Sequence, residues 1–176
     1  MGSSSTLDFA RLDATGAVIG DIVPLTDSGA LQPLAPALEW MGDGYAVTWS
    51  EGDSSSGRVM VRRVSAAGEL VGPPAEVATV PFSPASPVLA WNGTGLAFTW
   101  TARDNASGVD EIKLGRLDAT ATTIVSEETV NDVTDTDGRG PFATSDVAWT
   151  GAGYSVAWPH GDPIGVDQIR SAHVCP

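Results

Sequence analysis

The sequence predicts an all-β protein built from three copies of one four-stranded unit. Two observations support this prediction. The six tryptophans form three pairs, and the two members of each pair are nine residues apart. In addition, no segment shows the apolar periodicity of an amphipathic helix. A chain of 176 residues is long enough for such units to share a substantial core.

Each tryptophan pair marks a β-hairpin. Its three versions are LEWMGDGYAVTW from Leu38, LAWNGTGLAFTW from Leu89 and VAWTGAGYSVAW from Val147. A glycine, Gly42 in the first version, begins the central two-residue loop, as a type II′ turn requires. This register places Trp40 opposite Tyr45 and Leu38 opposite Val47.

Alternation along the hairpin strands predicts one bulky face and one small face. In the first hairpin Trp40, Tyr45 and Trp49 share one side, whereas Ala46 and Thr48 share the other. The other two hairpins repeat this pattern. Sheets of this kind interdigitate when they stack face to face. We therefore expect the six indoles to occupy equivalent places in stacked sheets.

A second phrase follows each hairpin and also opens the chain. Its fullest versions are FARLDATG from Phe9, VRRVSAAG from Val61 and LGRLDA from Leu114. The phrase predicts a third strand, a turn that starts at Asp or Ser, and a short fourth strand. We place the fourth strands at 21–26, 75–80 and 127–131.

Each unit is therefore predicted to be an antiparallel meander of strands A, B, C and D. Units of about 40–50 residues with four short strands are typical of β-propeller blades. The predicted organisation is a C–D pair at 7–26, a blade at 36–80, a second blade at 87–131 and a partial blade at 145–174. Residues 1–6 lack the features of a signal peptide and resemble an added leader.

The combination G-Y-x-V-x-W, a loop and R-L-D-x-x-G resembles the tandem β-propeller repeats of secreted bacterial proteins, with their lectin-like and integrin-like relatives. The resemblance extends from Leu7 to Val174 and implies an extracellular or cell-surface location. Integrin-type repeats bind calcium through D-x-D-x-D-G loops. Here the nearest match lacks its first carboxylate, so Asp135 and Asp137 are a weak metal candidate and no cofactor is predicted.

The strand order C-D, A-B-C-D twice and A-B-C gives about three blades, whereas closed propellers have about four to eight. An open arc exposes sheet edges. One explanation is that two chains join head to tail into about six blades, which predicts a homodimer or larger assembly. The other explanation is that the chain is a piece of a longer propeller.

The charge balance excludes several partners. The chain has 22 acidic and 9 basic residues and a net charge of −13. Nucleic acid is excluded because binding to phosphates needs clustered Lys and Arg. Membrane insertion is not predicted because no apolar run of about 18 residues occurs. The single cysteine, Cys175, is predicted to be a free thiol.

No arrangement of residues predicts catalysis. The two histidines are His160, placed in a B–C loop, and His173, which occupies the position of a recurring arginine in the last strand. Neither shows a nucleophile–base pattern. The acids of the B–C loops, such as Glu51, vary in position between repeats, so they select no glycosidase pair. The sequence therefore predicts that the chain is not an enzyme, and it assigns no catalytic residue.

The tryptophans nearest the hairpin turns, Trp40, Trp91 and Trp149, are the candidate ligand-binding residues. Aromatic faces stack on the C–H patches of sugars, and lectin-like propellers place such pockets between blades. The first functional hypothesis is a secreted or surface binding module that takes carbohydrate at repeated weak sites. The second is a non-catalytic structural segment of a larger propeller that only self-assembles, and the third is a hydrolase.

Overall fold

A computed structural model describes residues 5–27, 31–52, 56–80, 85–103, 110–131, 144–161 and 167–175. This part of the chain forms thirteen strands. Their bounds are β1 Asp8–Leu12, β2 Val18–Pro24, β3 Pro33–Trp40, β4 Gly44–Gly52, β5 Gly57–Ser65, β6 Leu70–Val80, β7 Val88–Trp91, β8 Leu96–Arg103, β9 Asp110–Leu117, β10 Ile124–Thr129, β11 Asp146–Trp149, β12 Tyr154–Gly161 and β13 Asp167–Val174. None of the described residues forms a helix with the length and apolar character that a membrane crossing needs.

The strands form antiparallel sheets in chain order. The N-terminal hairpin consists of β1 and β2, the first blade of β3 to β6, the second blade of β7 to β10, and the third blade of β11 to β13. Within each sheet every strand pairs with its neighbours in sequence. The predicted fold class, a propeller-like array of four-stranded antiparallel blades, is confirmed.

The predicted hairpin register is also confirmed. Trp40 lies opposite Tyr45 and Leu38 lies opposite Val47. The turn closes through a 2.8 Å hydrogen bond from the Met41 N–H to the Gly44 carbonyl, and Gly42 has a φ of 91°. The other two hairpins have the same geometry, with first-position glycines at φ 96° and 90°. Only glycine adopts this φ without steric cost, so the turn sequence sets the register.

The fourth strands begin earlier than predicted. β2 starts at Val18, β6 at Leu70 and β10 at Ile124, directly after each turn. The prediction placed these starts at residues 21, 75 and 127. Gly20 and Gly72 adopt φ values of 74° and 73° within continuous strands, next to register shifts in the ladder. Such β-bulges bend a strand without ending it.

The described residues form three core clusters, each of which spans two adjacent sheets. In every cluster the bulky face of one blade packs against the sheet that precedes it in the chain. The clusters include Phe9, Leu25, Val47 and Trp49 at the first junction, Ala46, Val61, Phe98 and Trp100 at the second, and Ala97, Leu114, Val156 and Trp158 at the third. The mid-face tryptophans Trp49, Trp100 and Trp158 are only 0%, 2% and 6% exposed. Their predicted core role is confirmed.

The turn between the third and fourth strands depends on an exposed acceptor. In the second blade Asp118 accepts hydrogen bonds from the Thr120 hydroxyl at 2.7 Å and from the N–H groups of Thr122 and Thr123. The Thr120 hydroxyl, followed by the Thr122 N–H, lowers the pKa of Asp118 below its usual value of 3.8. In the first blade the Ser65 hydroxyl accepts from the Glu69 N–H instead.

Because one turn uses an ionisable carboxylate and the other a hydroxyl, their contributions to the free energy of unfolding should depend differently on pH. Because its folded-state pKa is lowered, Asp118 stabilises the fold fully above pH 3.8, and it loses that contribution as the pH falls through the lowered value. Asp118→Ala should therefore lower the free energy of unfolding by about 1 kcal/mol or less at neutral pH. The deficit should shrink in acid, as measured by urea unfolding. Ser65→Ala is the control, since its deficit should not change with pH. A constant deficit for Asp118→Ala would contradict this assignment.

Candidate functional site

The three candidate tryptophans lie at the same edge of the molecule. Trp40, Trp91 and Trp149 are the last residues of β3, β7 and β11, the first strand of each blade. Strand β7 lies beside both β3 and β11, so the three strand ends are neighbours. Trp91 and Trp149 each pack against the core of a junction between two sheets, and Trp40 borders the first junction through its contact with Tyr45. The structure thus places the three residues in equivalent positions and does not combine them in one pocket.

Trp40 is the most exposed of the three, with 45% of its surface accessible. The Tyr45 ring supports it from across the hairpin, with ring centroids 4.8 Å apart and planes at 63°. Phe9 of the N-terminal hairpin in turn packs on Tyr45 at 5.2 Å. The indole is therefore held in place from behind while part of its surface faces solvent.

Trp91 and Trp149 are half-buried in the next two junctions. Trp91 packs against the core cluster between the first and second blades, and Trp149 against the cluster between the second and third. Trp149 contacts the Tyr154 ring at 5.0 Å, which repeats the arrangement of Trp40 and Tyr45. The repeat therefore produces the same aromatic position three times, with different exposure.

Glu39 borders the second junction, and sequence reasoning missed it. Its Oε1 accepts a 3.2 Å hydrogen bond from the backbone N–H of Trp91. On the same face, Arg63 pairs with Asp43 at 2.8 Å. The only sequence signal was a departure from the repeat, since the matching positions in the other hairpins hold Ala90 and Ala148.

The recurring arginines connect one sheet to the next. Arg11 of the N-terminal hairpin donates to the Ala66 carbonyl of the first blade at 3.1 Å. Arg116 of the second blade donates to the Cys175 carbonyl beyond the third at 2.6 Å, and its guanidinium lies 5.8 Å from the Tyr154 ring centroid. These contacts place a cation beside the aromatic pair of the third junction.

Tyr154 contributes a neutral hydroxyl to the third junction. Burial raises the pKa of Tyr154 above its usual value of 10.0, while the charge of Arg116 and a hydrogen bond with Asn92 oppose that rise. The phenol therefore stays protonated at neutral pH. The second and third junctions thus combine an indole with polar groups, an arrangement that suits a ligand with both apolar and hydroxyl surfaces.

Two side chains that were placed in B–C loops lie in strands. Glu51 is near the end of β4 and is 3% exposed, because the indole N–H of Trp49 and the guanidinium of Arg58 hold its carboxylate inside. His160 lies in β12 opposite Gln168 and is 4% exposed. Strands β4 and β12 extend further than expected, because β5 and β13 pair with them almost to the ends of the hairpins.

His173 lies in β13, as predicted, and its Nδ1 is 3.4 Å from the Ser155 hydroxyl. The weak metal candidates Asp135 and Asp137 fall outside the described residues. Among the residues that are described, no group of three His, Cys, Asp or Glu side chains could hold a metal ion. Two shallow depressions on the outer face of the third blade share Asp146 and Ala157, and neither includes a candidate tryptophan.

Comparison with known proteins gives matches in structure alone. No protein-family model and no curated protein sequence matches the chain. A thermostable family-43 glycoside hydrolase is similar in structure, with a TM-score of 0.54 and 12% identity over 96% of this chain and 67% of its own. An endo-arabinase from Bacteroides thetaiotaomicron has a TM-score of 0.51 and 14% identity over 88% of this chain and 61% of its own.

Both neighbours are β-propellers, so the comparison supports the propeller fold. The chain spans about two thirds or less of the length of these two proteins. One neighbour is named as a glycoside hydrolase and the other as an endo-arabinase, and these two enzyme names overturn the prediction that the chain is not an enzyme. That prediction rested on the absence of a recognisable motif, and at such low identity a sequence motif is a poor guide to catalysis.

Proposed function

We propose that the chain is a carbohydrate-binding part of a carbohydrate-active β-propeller, with sugar rings stacking on the indoles at the sheet junctions. The observation that carries this proposal is Trp40. Its indole is 45% exposed and is fixed from behind by Tyr45. A ring that is already immobilised loses little conformational entropy on binding, so it suits a weak, flat contact with the C–H face of a sugar.

Polar groups beside the indoles supply the second requirement of a sugar site. Glu39 provides a carboxylate at the second junction, where its Oε1 is 3.2 Å from the backbone nitrogen of Trp91. Arg116 provides a cation at the third, and the buried Tyr154, which is 2% exposed, supports both Arg116 and Trp149 from behind. A carboxylate accepts hydrogen bonds from sugar hydroxyls, and a guanidinium donates hydrogen bonds to them. A few such groups around an apolar surface are typical of small-molecule sites.

Repetition would strengthen weak binding. Equivalent positions at neighbouring strand ends allow one polymer to contact several indoles, and each further contact then occurs within an existing complex. A polysaccharide is therefore a better candidate than a free monosaccharide. The name of one structural neighbour, an endo-arabinase, makes arabinan the first polymer to test. The extracellular or cell-surface location remains a prediction from the sequence resemblance.

Trp40→Ala should weaken binding to linear arabinan fragments about tenfold, since one stacked ring is worth on the order of 1.4 kcal/mol. Isothermal titration calorimetry measures this effect, with xylan fragments and cellulose fragments as alternative ligands. Val125→Ala is the matched control, because Val125 is 65% exposed on the distant outer strand β10. Equal affinity in all three proteins would refute the role of Trp40.

Hydrolysis is measured on the same samples through the release of reducing ends. Release by the parent chain would add catalysis to binding. If none of the polysaccharides binds at millimolar concentration, the carbohydrate proposal fails as a whole. Trp91→Ala and Trp149→Ala are not used as test variants, because both side chains also pack against the core and their loss would change stability as well as binding.

A further inference from the structure

Strand β1 has an open edge on the side where its counterparts β5, β9 and β13 each pair with the second strand of their blade. In the first and second blades the third strands, β5 and β9, pair on both sides. Strand β1 is the equivalent strand of the N-terminal hairpin, and within the described residues it pairs only with β2. An unpaired strand edge is a template for adding another strand.

The face beside this edge is exposed where the other blades are covered. Leu38 is 54% exposed, whereas the matching Leu89 and Val147 are each 6% exposed. Those two residues are covered by the first two strands of the preceding blade, whose inward side chains are small, such as Ala46 and Ala97. We define the notch as the open edge of β1 together with Leu38 and Trp40.

The notch is also preorganised. Arg62 of the first blade donates to the Leu25 carbonyl at 2.7 Å, and Arg11 donates to the Ala66 carbonyl at 3.1 Å. These bonds and the contact between Phe9 and Tyr45 fix the N-terminal hairpin on the first blade. Strands A and B of a blade would extend the sheet beyond β1 by about 10 Å at the usual strand spacing.

We propose that the notch binds an antiparallel A–B hairpin of another repeat of this same pattern. The hairpin would extend the sheet at β1 and cover Leu38 and Trp40 with a face of Ala, Ser and Thr side chains. This occupant fits because the chain already uses that packing at the second and third junctions. A second copy of this chain fits less well, since its last A–B hairpin is already paired with its own β13.

A peptide of residues 85–103, the A–B hairpin of the second blade, tests the proposal. It should bind the full chain with one-to-one stoichiometry, and hydrogen exchange should slow at β1. A peptide with Ala97→Arg is the control, because Ala97 lies on the small face that would meet Leu38. Slower exchange confined to β13 or to other strands would overturn the proposal, and so would equal binding of the two peptides.

A variant of the chain gives an independent test. Leu38→Asp should weaken peptide binding about tenfold or more, because a buried leucine contact becomes a buried charge. Leu38 is exposed in the free chain, so the variant should fold. Val125→Asp is its control and should bind like the parent.

An isolated two-stranded hairpin is only marginally stable in water, so a covalent fusion of the hairpin to the chain gives a second form of the test. Residues 85–109 placed directly before Leu7 should raise the melting temperature and reduce the quenching of Trp40 by acrylamide. The same fusion with Leu38→Asp should do neither. Unchanged melting and quenching in the parent fusion would overturn the proposal. Slower exchange at β1 as the concentration of the chain alone rises would also overturn it, because the occupant would then be a second copy.

The hairpin test uses no sugar, so its outcome does not depend on the carbohydrate proposal. Binding of a hairpin would cover Trp40 and leave Trp91 and Trp149 as the remaining aromatic positions. The two proposals can therefore fail separately. Loss of hairpin binding would leave the arabinan titration unaffected.

Discussion

Glu51→Ala is expected to lower the free energy of unfolding by about 1–3 kcal/mol, the usual cost of leaving a buried hydrogen-bond donor without its acceptor. The Glu51 carboxylate accepts a 2.7 Å hydrogen bond from the indole nitrogen of Trp49, which is 0% exposed. It also accepts two bonds from Arg58, at 3.1 Å and 2.8 Å. Without the carboxylate, a buried N–H and a partly buried guanidinium lose their acceptor.

The measurement is urea unfolding followed by circular dichroism and by tryptophan fluorescence. The matched control is Glu76→Ala, because Glu76 approaches the same Arg58 at 3.7 Å but its side chain is 44% exposed. An exposed pair of this kind contributes roughly 1 kcal/mol or less. Equal losses for the two variants would contradict a structural role of the buried carboxylate.

Gly44→Ala is expected to destabilise the first hairpin by about 1–3 kcal/mol through overpacking. A Cβ at this position would lie 2.5 Å from the Val64 carbonyl oxygen and 3.2 Å from the Ser65 Cα. Both are backbone atoms of the paired strand, so neither can move without breaking the ladder. The second glycine of this turn is therefore required by the close approach of β5.

Gly95→Ala in the second blade is the control, since it occupies the same place in the repeat. There the nearest atoms to an added Cβ belong to the Asn92 side chain at 3.8 Å, an ordinary contact. This variant should be neutral or slightly stabilised, because alanine restricts the unfolded chain. Thermal melting of both variants tests the contrast, and equal shifts would show that the turn, and not the neighbouring strand, requires glycine.

The sequence was sufficient to predict the hairpins because local chemistry determines them. A glycine at a positive φ fixes the turn, and the turn fixes which residues face each other. The bulky and small faces then follow from alternation along the strands, as with Trp49 and Ala46, which enter different core clusters.

The remaining features depend on how far the strands pair and on which sheets stack together. Glu51 looked like a loop acid because its acceptor role needs both Trp49 and Arg58, which become visible only when β4 and β5 pair to their ends. Glu39 contacts a backbone group 52 residues away, in the next blade. The different exposure of Trp40 and Trp91 has the same origin, since it depends on which sheet stands in front of each indole and not on the repeat itself.

Every core cluster joins two adjacent sheets, and this has a consequence for how such a chain can grow. Duplication of the gene segment for one unit supplies a matching pair of surfaces at once, so the new copy fits between its parents without compensating substitutions. Individual copies are then free to diverge. The glutamate at position 39 and the histidine at position 173 are departures of this kind, each confined to one copy.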